Sequence, residues 1–173
     1  IGKQDNATIL VTSSFGGEGK SFISTNMGAV LALTDKKTIV LEFDLRKPRI
    51  LAGLDMNKKP GISNYMVGNK DIDELIIPVE GHENLFVLPC GPIPPNPSEL
   101  LLSERIKELF TVLKQKFNYV VIDTAPVGMV SDALTLGKFA DCTLYVTRQG
   151  HTFKKQIGLI DEMYNTKKLP HIT

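Results

Sequence analysis

Five short runs of this 173-residue chain are apolar or β-branched at almost every position: residues 8–12, 38–43, 85–88, 119–122 and 143–147. A strand with one face in water alternates apolar and polar residues. Runs without that alternation belong to strands covered on both faces, as in a parallel sheet. The stretches between them carry helical spacing, at 20–33, at 152–164 and most clearly at 98–117, where Leu102, Ile106, Leu109, Phe110, Leu113 and Phe117 recur. Ser98, just after Pro97, is the expected N-cap of that helix. Strands alternating with helices imply βαβ crossovers, so the expected architecture is an α/β fold with a doubly wound, mainly parallel sheet.

The region 58–84 is less regular, punctuated by Gly61, Gly68 and Gly81, with short segments at 63–67 and 71–76. Pro92, Pro94, Pro95 and Pro97 then impose an extended loop before the long helix. No repeat or linker divides the chain, and 173 residues suit one core, so 1–173 is expected to be a single domain. Twenty basic and nineteen acidic side chains leave a net charge of +1, which argues against a nucleic-acid partner held by a broad basic surface. Cys90 and Cys142 stand far apart without metal-ligand spacing, which excludes a disulfide scaffold or zinc ribbon and points to a reducing compartment. No apolar run approaches the ~20 residues that cross a bilayer. A chain opening Ile1-Gly2-Lys3 is expected to be a soluble piece of a longer polypeptide.

The chemistry concentrates directly after the first apolar run, in Ser13-Ser14-Phe15-Gly16-Gly17-Glu18-Gly19-Lys20-Ser21. A strand, a glycine-rich turn, Gly-Lys-Ser and a helix form the context of a P-loop. Glycines let successive N–H groups converge on one anion, and the helix N-terminus adds its dipole there. Lys20 is expected on the outer phosphates of a nucleotide and the Ser21 hydroxyl on magnesium. Ser14 stands where the usual pattern has its first glycine. Asp123 ends an apolar strand ahead of Thr124-Ala125-Pro126, the layout of a Walker B aspartate. Glu42 and Asp44 lie two apart at another strand end, so both carboxylates are expected to face one site, with Arg46 close by.

Taken together, Ser-Ser-x-x-Gly-Glu-Gly-Lys-Ser, then Glu42-x-Asp44-x-Arg46-Lys47-Pro48, then Asp123-Thr-x-Pro126, resemble the bacterial protein-tyrosine kinases. These are cytoplasmic kinase domains of capsular and exopolysaccharide co-polymerases, P-loop NTPases with deviant Walker motifs. The proline-rich segment from Gly91 through Asn96-Pro97-Ser98-Glu99-Leu100-Leu101 is the sharpest part of the likeness, which runs over about residues 8–150. The resemblance implies ATP or ADP bound along Phe15, Gly16, Gly17, Glu18, Gly19, Lys20, Ser21 and Phe22, with Arg46. It implies Mg²⁺ held by Ser21, Asp44 and Asp123, and protein tyrosines as acceptors. Lys20, Glu42, Asp44 and Asp123 are the implied catalytic set, with Glu42 or Asp44 accepting the phenol proton.

It also implies a longer parent at the inner face of the bacterial membrane. That parent would act with a polysaccharide co-polymerase segment, form a ring and phosphorylate a tyrosine-rich tail. The present chain, with only Tyr65, Tyr119, Tyr145 and Tyr164, is then expected to be mainly monomeric and to label itself weakly. Tyr119 and Tyr145 should be buried in strands, whereas Tyr65 and Tyr164 should be exposed. Glu42 departs from the family's first aspartate and Ala125 from the first of its two prolines, while Phe15, where partition and septum-placing relatives carry a lysine, favours the kinase branch. The rival reading is an ATPase working as a nucleotide-controlled binding switch, and a third is a domain that binds nucleotide without turning it over.

Overall fold

The computed structural model describes residues 6–50 and 59–173, so any feature expected at 1–5 or 51–58 lies outside the described residues. Six strands form one sheet in the order β3-β4-β2-β5-β1-β6. They are β1 (Ala7–Ser13), β2 (Thr38–Phe43), β3 (Ile77–Pro78), β4 (Leu85–Leu88), β5 (Tyr119–Thr124) and β6 (Cys142–Val146). All pair in parallel except the short edge strand β3, which runs antiparallel to β4. The five apolar runs are therefore the five parallel strands. Outside β6, Ile172 makes a single parallel bridge to Thr143.

Strand side chains alternate between two apolar layers. Ile39, Leu41 and Phe43 of β2 enter the larger one, under α4 (Glu104–Lys116), α5 (Asp132–Gly137) and α6 (Lys154–Asn165), with α2 (Ile62–Met66) contributing Tyr65 and Met66. Val40 enters the smaller one, under α1 (Lys20–Ala32). Gly28 lets α1 lie on β2, because a Cβ there would sit 2.4 Å from Val40 Cγ2.

The single helix expected over 98–117 is two helices, α3 (Pro97–Leu100) and α4, separated by a turn at 101–103. Leu101 is drawn into the core and Leu102 is left in solvent. The Ser98 hydroxyl, expected to cap, instead joins side chains from two other elements. Tyr65, expected to be exposed, is buried with the Arg105 guanidinium 4.7 Å from its ring centre. Tyr164 is exposed, Tyr145 buried and Tyr119 half-buried.

Candidate nucleotide and phosphoryl-transfer site

The C-terminal ends of β1, β2, β5 and β6 open on one cleft of about 1240 Å³. The sheet order places β5 between β1 and β2, so the glycine-rich loop and Asp123 share a wall. The loop after β5 continues the pairing past the strands: Val127 N–H donates to Ser13 O at 2.9 Å and Gly128 N–H to Ser14 O at 3.1 Å. A Cβ at Gly128 would lie 2.3 Å from Ser14 O, so only glycine lets the two loops approach this closely.

Gly17 and Gly19 hold φ of 90° and 98°, the left-handed conformations that turn the loop into the start of α1. Lys20, at the first position of α1, places Nζ 3.4 Å from Asp123 Oδ1 and 3.5 Å from Asp44 Oδ2. The Ser24 hydroxyl, one turn along α1, reaches Asp123 Oδ1 at 3.2 Å. Burial raises the Asp123 pKa, against the lowering effect of the Lys20 ammonium and of the Ser21 and Ser24 hydroxyls. Asp123 Oδ2 is buried and has no hydrogen-bond partner among the described residues. An all-oxygen set of Ser21, Asp44 and Asp123 with one unsatisfied carboxylate oxygen fits a hard cation that keeps most of its water shell.

Glu42 lies on the same face as Asp44 and directly opposite Asp123 in the β2–β5 register. Its carboxylate nevertheless serves the backbone, accepting the Ile50 N–H on Oε1 and the Cys90 N–H at 3.3 Å on Oε2. Burial is the main cause of its raised pKa, with those amides and that of Arg49 pulling the other way. Asp44 Oδ1 accepts the N–H groups of Arg46 and Lys47 at 3.3 and 3.0 Å, while Oδ2 faces Lys20. The side chain of Arg46 runs to the Ser98 hydroxyl at 2.9 Å and to the buried Asp132 carboxylate at 3.4 Å. Phe15 and Phe22 stand exposed beside the loop.

A third group of residues gives no motif in the sequence. Arg148, His151 and Thr152, between β6 and α6, clasp the glycine-rich loop from its outer side. Arg148 donates to Gly17 O at 3.1 Å, His151 Nε2 lies 3.1 Å from Gly16 O, and the Thr152 hydroxyl donates to Glu18 Oε1. The other Glu18 oxygen accepts the Phe15 N–H at 2.8 Å. The Glu18 carboxylate thus shapes the loop from within. The available signal was positional: a loop leaving the C-terminal end of a strand that neighbours β1 must border the site.

An AAA domain model matches residues 6–144 of the chain. Tyrosine-protein kinase YwqD of Bacillus subtilis (strain 168) is 34% identical over 161 residues, covering 93% of this chain and 68% of that one. The solved kinase domain of the Escherichia coli tyrosine kinase ETK superposes with a TM-score of 0.89 at 28% identity, covering 98% of this chain and 66% of that one. Against the full-length tyrosine-protein kinase Etk of E. coli (strain K12), 30% identical over 155 residues, the match covers 90% of this chain and only 21% of the relative. The septum site-determining protein MinD of Pyrococcus horikoshii, solved with Mg-ADP, superposes at 0.78 with 18% identity over 96% of this chain and 68% of that one, a likeness of fold alone. With Lys20 between two strand-end aspartates, and with relatives named for one activity matched along nearly its whole length, this chain belongs to the bacterial tyrosine-protein kinases, built on the AAA domain.

Proposed function

We propose that the chain transfers the γ-phosphoryl group of ATP to protein tyrosine hydroxyls. The observation that carries this reading is the Lys20 ammonium set between Asp44 and Asp123 at the mouth of the glycine-rich loop. The Gly16, Gly17 and Gly19 amides with Lys20 would hold the outer phosphates, and Ser21, Asp44 and Asp123 would hold Mg²⁺. The metal, when bound, neutralises charge on the outer phosphates. In the transfer, the phenol oxygen forms the new bond to phosphorus, the bond to the ADP oxygen breaks, and the phenol proton passes to a carboxylate.

Asp44 suits that last role better than Glu42. Both Glu42 oxygens accept backbone amides and the residue does not line the cleft, whereas Asp44 keeps Oδ1 on the Arg46 and Lys47 amides and turns Oδ2 toward Lys20 in the cleft. Arg46 lines the same cleft but is tied to Asp132, which suits holding the cleft wall better than direct contact with phosphate. By the same resemblance, the longer protein would regulate capsule or exopolysaccharide assembly at a membrane, with its own tyrosines among the acceptors. Among the described residues no helix is long and apolar enough to cross a membrane.

The test is transfer of label from [γ-³²P]ATP to a tyrosine-containing peptide, with Mg²⁺ and after its chelation. Metal-dependent phosphotyrosine is the expected product. Nucleotide hydrolysis with no labelled tyrosine would favour the partner-binding switch.

A further inference from the structure

The cleft is larger than the roughly 300–1,000 Å³ that ligand pockets usually enclose. Its glycine-rich loop occupies one flank, and the turn Arg46-Lys47-Pro48-Arg49 after β2 forms another. Five cationic side chains line it, and three are accounted for. Lys20 faces Asp44 and Asp123, Arg46 faces Asp132 and Ser98, and Arg148 donates to the Gly17 carbonyl. The remaining two, Lys47 and Arg49, are exposed and have no acidic partner among the described residues.

This turn is also held in place. Asp44 accepts the Lys47 amide and Glu42 the Ile50 amide, so two buried carboxylates fix its two ends. A charged loop already held in one shape loses little freedom when it binds. Its cations line the β2 side of the cleft, whereas Arg148 stands on the opposite side of the glycine-rich loop, after β6. The cleft also carries exposed apolar surface at Phe15 and Met129.

We propose that this end of the cleft is the acceptor subsite, and that Lys47 and Arg49 select tyrosines flanked by acidic side chains, with the phenol ring against Met129, which follows the neighbouring strand β5. This rests on the kinase reading above and adds its substrate class. Two free cations are too few for a nucleic acid, whose binding needs a broad basic surface, but they match one or two carboxylates beside a tyrosine.

Three peptides of equal length, each with one tyrosine flanked by Glu, Ser or Lys, test the proposal by their initial rates of labelling. The Glu peptide should be labelled about tenfold faster than the Ser peptide, the sum of a few exposed ion pairs. Lys47→Glu/Arg49→Glu should remove or invert that preference, and Lys47→Gln/Arg49→Gln should reduce it. Affinity for a fluorescent ADP analogue, read in parallel, should change less than about threefold in either variant and reports that the fold is intact. The preference should also shrink as salt rises from ~0.1 to ~0.5 M, where such charges are screened.

Equal labelling of the three peptides, or a preference that survives charge reversal, would overturn the subsite while leaving the kinase reading in place. Binding of fluorescent Glu-, Ser- and Lys-flanked peptides carrying phenylalanine for tyrosine, read by anisotropy with Mg-ADP, separates the remaining outcomes. Preferential binding of the Glu peptide without any labelling would overturn the kinase reading and keep an acidic-peptide site. Neither labelling nor preferential binding would overturn both.

Discussion

Glu42 and Asp123 stand side by side at the tips of neighbouring strands, paired in register, both almost fully buried, and both with pKa values raised by that burial. What surrounds them differs. Glu42 is enclosed by backbone amides from the turn after β2 and from Cys90. Asp123 faces an ammonium and a hydroxyl and keeps one oxygen without a partner. A buried carboxylate with both oxygens on backbone amides is a structural strut. One with an unsatisfied oxygen beside the glycine-rich loop is suited to take a further partner. Strand position brings both to the same height, and partners decide what each can do.

The largest effect should come from Lys20, the cation on the Asp123 side of the comparison. Lys20→Met should lower phosphoryl transfer by about 10²–10³-fold, the usual loss when one preorganised charge is removed from a transition state. Single-turnover rates would measure it, and transfer at the parent rate would remove the basis for the site.

The two acids themselves come next. Asp123→Asn keeps an acceptor for Ser24, removes a charge that burial already disfavours and leaves Lys20 paired with Asp44, so stability should change by less than about 1 kcal/mol as transfer falls steeply. Glu42→Gln instead turns an NH₂ toward a backbone N–H, which leaves a buried donor unpaired at a cost of about 1–3 kcal/mol in urea unfolding. Transfer by that variant should fall less than in Asp123→Asn. Equal stability losses, or transfer lost only in the Glu42 variant, would break the contrast.

The pH dependence sharpens it. Glu42 takes up a proton more readily folded than unfolded, its pKa lying above the ordinary 4.5. Its stabilising contribution is therefore complete below 4.5 and is lost as pH rises through the raised value. The stability difference between the parent and Glu42→Gln should be widest in acid and narrow as pH increases. A difference that widened toward neutrality would reverse the sign and place Glu42 in a charge-stabilised setting instead.

Smaller effects bear on the flanks of the two acids. Thr152→Val removes the hydroxyl held by Glu18, and should cost about 1 kcal/mol and weaken ADP binding severalfold by loosening the glycine-rich loop. Unchanged affinity by titration calorimetry would make the outer clasp incidental to the site. On the Glu42 side, burial pushes the Cys90 thiol up to about 12 from 9.0, helped by the nearby Glu42 and Asp44. Its stabilising contribution lasts below pH 9.0 and is lost as pH rises toward 12. Cys90 should therefore resist alkylation at pH 8 until the chain is unfolded. Fast labelling of Cys90 in the native protein would mean that this side of the site opens to solvent.

The sequence by itself determined the parallel core strands, since runs apolar on both faces admit few other homes, and it determined the loop that opens α1, since the glycines and Lys20 follow directly from anion-binding geometry. It also singled out Asp44 and Asp123, because carboxylates at the ends of apolar strands in a chain with a P-loop point to one site. It placed Glu42 in the same site by the period of the strand, which is correct for the face and silent about the partner. Periodicity likewise ran one helix through 98–117, where burial of Leu101 and the ties of Ser98 to Arg46 and Asp132 impose a break. Only the tertiary structure decided that Arg148, His151 and Thr152 close over the glycine-rich loop, or that Tyr65 is sealed under Arg105. The physical reason is the same in each case. A motif read along the chain reports local geometry and charge, whereas partners distant in sequence are set by how the elements pack, as where strand order brings β6 beside β1.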